Sequence, residues 1–171
     1  MFTAPFGVTG GYPAQLGRVG QVAVGRVPGA DAGEERFYVL DPGTERLVVY
    51  DRDGRYVTAW ANINARGVAA SSDGRIYLLD RERSEVRVLD ADRGTERFAF
   101  GARGTDDGQF NNFSDVAVSP DGRVAAVADM QGQRVQLFDL ATDDALGGED
   151  PPPPATLRKV YNLLSARFNK G

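Results

Sequence analysis

Residues 73–100 read DGRIYLLDRERSEVRVLDADRGTERFAF, and the chain repeats their pattern on both sides. Before them comes ERFYVLDPGTERLVVYDRDGRYVTAW, residues 35–60; after them comes DGRVAAVADMQGQRVQLFDLATDD, residues 121–144. In each segment an Asp closes an apolar run and a second Asp follows ten residues later, giving Asp41/Asp51, Asp80/Asp90 and Asp129/Asp139. A shorter apolar motif precedes each segment: Val22-Ala23-Val24, Val68-Ala69-Ala70 and Val116-Ala117-Val118. Repeats at this spacing mean one supersecondary unit stacked several times.

Each unit reads as four strands. Asp73-Gly74 and Asp121-Gly122 mark a tight turn between the first and second strands. Asp53-Gly54 and Asp92-Arg93-Gly94 mark another between the third and fourth. The third strands alternate: Leu47 and Val49, Val86 and Val88, Val135 and Leu137 share one face, with Val48, Arg87 and Gln136 on the other. Ala23, Ala69 and Ala117 sit at the centres of the first strands, where a small residue suits the crowded inner strand of a radial array. Four strands per roughly 40–50 residues is the blade of a β-propeller. The fold class is therefore all-β, a partial propeller of three blades.

Residues 104–139, GTDDGQFNNFSDVAVSPDGRVAAVADMQGQRVQLFD, resemble an NHL repeat. The likeness lies in the Gly-Gln-Phe lead-in, the Val-Ala-Val strand, the Pro-Asp-Gly turn, and an Ala-Asp followed five residues later by Arg-Val-Gln. The other two repeats match more loosely, and the resemblance covers about 140 residues in all. It implies a propeller fold and leaves function open, because one fold hosts many activities. Two departures stand out. Glu85 occupies the family's Arg position, so Asp80 takes its cation from Arg83 or Arg87. Residues 28–35, PGADAGEE, replace a two-residue turn with a longer acidic loop.

The blade region is read as residues 1–140, followed by an acidic, Pro-rich linker at 141–154 and a basic amphipathic helix at 155–171. Met1–Gly7 matches the fourth strand of a blade, whereas the last repeat shows only three strands before the linker. The expectation is closure in trans: Met1–Gly7 completes the third blade of another chain, most simply in a homodimer of two half-rings. In the tail, Leu157, Val160, Tyr161, Leu164 and Phe168 follow helical spacing, with Thr156 as N-cap. Such a basic helix either packs back on the propeller or docks in a partner's groove.

Composition narrows the chemistry. The chain has 171 residues, 20 basic and 24 acidic, for a net charge of −4. That argues against a general nucleic-acid or membrane binder. It has no Cys and no His, which removes thiolate chemistry, the usual zinc ligands and the commonest general base. No catalytic residue, metal or cofactor is assigned, and the chain is read as a non-enzymatic scaffold for protein–protein contacts. The alternative is a propeller enzyme or small-ligand sensor with a carboxylate-lined, divalent-metal-dependent channel. Its candidate oxygens are Asn62, Asn64, Asp106, Asp107, Asn111, Asn112 and Asp115. No signal peptide or membrane span is visible, so the expected location is the cytoplasm. Asp41, Asp80 and Asp129 are expected to cap turns, with Arg46 and Arg134 paired to the first and last. The face built from the inter-blade and second-to-third-strand loops is the expected partner surface. It carries Arg81, Arg83, Arg103, Gln131 and Gln133, together with Asn62, Asn64, Arg66, Phe110 and Asn112.

Overall fold

The computed structural model of the chain describes residues 15–28, 34–142 and 153–162. They form three antiparallel sheets of four strands each. The first sheet runs β1 (Val22–Arg26), β2 (Glu35–Asp41), β3 (Arg46–Asp51) and β4 (Tyr56–Ala61). The second runs β5 (Ala65–Ala70), β6 (Arg75–Asp80), β7 (Glu85–Asp90) and β8 (Glu96–Phe100). The third runs β9 (Phe113–Val118), β10 (Val124–Asp129), β11 (Arg134–Leu140) and β12 (Ala155–Asn162). Within each sheet every strand pairs with its sequence neighbour. The first strands lie side by side, β5 packing against β1 and against β9. The arrangement is propeller-like, an arc of three blades.

The second strand meets the third in the same way in every blade. The last pairs are Asp41 with Arg46, Asp80 with Glu85, and Asp129 with Arg134. The residue before the third strand has a positive φ each time: Glu45 at 51°, Ser84 at 57° and Gln133 at 49°. A left-handed residue there turns the chain into the returning strand.

Alternation of side chains then assigns one face of each blade to the preceding blade and one to the following blade. Between the first and second sheets, Tyr38, Leu40, Leu47 and Val49 pack with Ile76, Leu78 and Leu89. Between the second and third, Tyr77, Leu79, Val86 and Val88 pack with Ala125, Val127 and Phe138. Each fully buried Leu, Val or aromatic here contributes roughly 1.5–3 kcal/mol. The lead-in residues Ile63 and Phe110 enter the first and second of these cores. The Tyr38 hydroxyl adds a bond to the Ala91 carbonyl at 2.9 Å, tying the first blade to the second. At Gly94 the blades come close enough to exclude a side chain. Its φ is 69°, and a Cβ would lie 2.3 Å from the Trp60 ring.

Two expectations are corrected. Residues 155–162 are strand β12, not a helix, and they supply the third blade's fourth strand from the same chain. Thr156, Val160 and Tyr161 favour strands, and an isolated short helix is marginal. The β11 edge offers a row of unpaired backbone groups. Pairing runs from Leu140 opposite Ala155 to Arg134 opposite Asn162, with a bulge between Leu137 and Phe138. Ala155 and Leu157, opposite Leu140 and Phe138, pack on the second core. Leu164 and Phe168 lie outside the described residues. The second correction follows from the first. The edge assigned to Met1–Gly7 of another chain is occupied by β12, so the third blade is completed in cis. Residues 1–14 lie outside the described residues.

Candidate functional site: the loop face and the end face

The repeated geometry of the second-to-third-strand turns is built on three buried carboxylates. Asp41 accepts from the Gly17 and Arg18 amides at 2.8 Å each, and from the Thr44 hydroxyl at 2.7 Å. Arg46 Nε approaches the same carboxylate at 3.4 Å, and an Arg46 terminal nitrogen also donates to the Gln15 carbonyl. Burial pushes the Asp41 carboxyl up, but those donors outweigh it and hold it below the ordinary carboxylate value.

Asp129 repeats the arrangement. It accepts from the Asn112 amide at 3.0 Å, the Gly132 amide at 3.2 Å and Arg134 Nε at 3.4 Å. Arg134 extends to the carbonyls of Asp106 and Gln109, 2.8 Å each. Gln136, fully buried, accepts from the Gly108 amide and donates to the Gln109 carbonyl, both at 2.7 Å. Together these two side chains pin the long loop before the third blade. Asp80 differs, as Glu85 requires. It accepts from the Glu82 and Arg83 amides at 3.0 Å, and its guanidinium partner is Arg87 at 3.4 Å. The Arg83 side chain instead faces Glu85 and Glu96.

Beside these clamps, between the second and third blades, the loop face opens into a cleft of about 280 Å³. Arg66 from β5, Arg81 from the β6–β7 turn and Arg103 from the β8–β9 loop line it. Ser84, Asn111 and Asn112 supply further polar groups, with Phe110 and Phe113, both buried, beneath. Arg81 and Arg103, both expected on the partner surface, are therefore brought together. Arg83, Gln131 and Gln133 do not line the cleft. Ser84 and Phe113 were not legible as site residues. Ser84 has only its turn position in common with Glu45 and Gln133, and Phe113 reads from sequence as an ordinary core residue.

A second feature is the end face of the third blade. Ala126, Ala128, Val135 and Leu137 occupy the positions of Tyr77, Leu79, Val86 and Val88 in the second blade. Those four are completely buried, whereas Val135 is 38% exposed and Ala126, Ala128 and Leu137 are half-buried. At the other end of the arc, Val39, Val48 and Tyr50 are already buried in a small cluster with Leu16. There Val22 and Val24 of β1 are exposed, at 56% and 52%, as is Tyr56 of β4 at 38%. Of the tail residues, Leu157 and Val160 are half-buried and Tyr161 is 50% exposed.

Among the described residues, no group of three or more Asp or Glu side chains is arranged to hold a metal ion. No described helix is long and apolar enough to cross a membrane. No family model matches the chain, and no curated protein matches it. Solved structures do match. One, titled Kuenenia stuttgartiensis hydrazine synthase, is similar with a TM-score of 0.50 and 17% identity. The match covers 82% of this chain and 36% of that one, so this chain spans about a third of that neighbour's length. At that identity the likeness is one of fold alone.

Proposed function

We propose that the chain is a non-enzymatic, NHL-type propeller scaffold that assembles with a second copy of itself through the end faces of the arc. The observation that carries this reading is the inner-strand pattern. Ala23 shares a core with Val68 and Ala70, and Ala69 shares the next with Val116 and Val118. Ala117 is the next residue of the first series, and Val22 and Val24 precede the second. All three are exposed. A head-to-tail contact would set Ala117 of one copy against Val22 and Val24 of the other, repeating the internal interface. Size is complementary as well: Ala126 and Ala128 stand where the other blades carry Tyr and Leu, and the half-buried Phe37 holds a facing position on the first blade. Two such contacts close a ring when the rotation permits, and two arcs give six blades, within the typical range of about four to eight.

The test is to charge this face. Leu137→Asp and Val135→Lys are expected to convert a dimer into a folded monomer, each with an unchanged β-sheet spectrum. Val135 is the more exposed of the two, so its variant reads assembly even if Leu137→Asp loosens the blade. Variants that retain the wild-type mass would overturn the proposal.

A further inference from the structure

We infer that the cleft between the second and third blades is a binding site for a phosphate monoester group. Its three guanidiniums are in no ion pair among the described residues, although acids outnumber bases in the chain. Elsewhere on the blades Arg36, Arg46, Arg87, Arg97 and Arg134 all have carboxylate partners. Two of the three are already oriented by neutral groups. Arg66 donates to the Asn112 side-chain oxygen at 2.7 Å. Arg103 donates to Ser84 Oγ at 3.3 Å and to the Glu82 carbonyl at 3.4 Å. Among the described residues Arg81 has no side-chain partner, and it is exposed at the cleft.

The charge count selects the ligand. One guanidinium fork satisfies a carboxylate. Three exceed what a monoanion needs, and they match a phosphate monoester, which carries about −1.5 to −2 charges and three strong acceptor oxygens at neutral pH. Neutral hydrogen-bonding partners hold the forks in place without cancelling their charge, which lowers the ordering cost of binding. None of these residues belongs to the end face of the third blade, so binding here and assembly there fail or succeed separately.

The experiment is titration of the full chain with phenyl phosphate at fixed ionic strength, followed by calorimetry or amide shifts. Saturable binding at one site per chain, with a Kd below about 1 mM, is expected. Benzoate, the carboxylate of similar shape, should bind at least about tenfold more weakly. Arg81→Ala should cost at least about tenfold in affinity with an unchanged melting temperature, because its side chain holds nothing in the fold. Arg55→Ala, at a guanidinium 75% exposed on another blade, should leave affinity unchanged. A phosphoserine peptide that binds more tightly than inorganic phosphate would assign the ester to a phosphorylated partner; equal binding would assign it to a small phosphate ester. Absence of saturation by about 10 mM phenyl phosphate, equal affinity for benzoate, or an Arg81→Ala variant with unchanged Kd would overturn the assignment.

Discussion

Val135 stands opposite Tyr161 in the β11–β12 ladder, and both side chains are exposed, at 38% and 50%. Directly opposed residues share a face of the sheet. The pair therefore does two things at once. It closes the edge of the third blade within the chain, and it forms part of an end face that the first two blades bury against their successors.

Removing β12 should be costly. Deletion of residues 155–171 strips the pairing partner from β11 and the Leu157 side chain from the second core. The expected outcome is a large fall in melting temperature and aggregation through the freed edge. Leu157→Ala, a half-buried truncation, should cost about 1–2 kcal/mol in urea unfolding, below the range for a fully buried Leu. An unchanged melt for the deletion would show that β12 does not contribute to the blade.

The Asp129–Arg134 clamp should matter more than any surface ion pair. Both side chains are nearly inaccessible, at 0% and 7%. Arg134→Ala would leave the Asp129 carboxylate short of a charged donor and release the Asp106 and Gln109 carbonyls. The expected loss is about 2–4 kcal/mol by chemical denaturation. Arg55→Ala should stay within about 0.5 kcal/mol of wild type.

Acid should act through Asp41. Its carboxyl is held below the ordinary value, so it binds protons more readily unfolded than folded. Its contribution is complete above the unfolded pKa of about 3.9 and is lost as pH falls through the lower folded value. Asp90, lowered by the Arg93 and Asp92 amides and by Arg97 against its own burial, acts in the same direction. Stability measured from pH 6 down to pH 2 should therefore fall mainly below about pH 4. Asp41→Asn should flatten that slope; an identical pH profile in the variant would remove Asp41 from this role.

Much of this architecture was legible because the repeat is written in the residues that make it. Asp41, Asp80 and Asp129 end the second strands, and Ala23, Ala69 and Ala117 mark the first strands. The tail was not legible. Leu157, Val160 and Tyr161 fit a helical stripe as readily as a bulged strand, and the deciding factor is the open β11 edge, far away in sequence. The alternative cations for Asp80 also needed three dimensions, since Arg83 offers its amide and Arg87 its guanidinium. The cleft was partly visible: Arg66, Arg81, Arg103, Phe110 and Asn112 all stood on the expected loop face, but only folding separates them from Arg83, Gln131 and Gln133 and adds Ser84 and Phe113.

Sedimentation equilibrium of the intact chain at micromolar concentration tests the scaffold reading most directly. A mass of two chains, reduced to one by Val135→Lys, is the predicted result. A wild-type chain that sediments as a stable, soluble monomer throughout that range would contradict it.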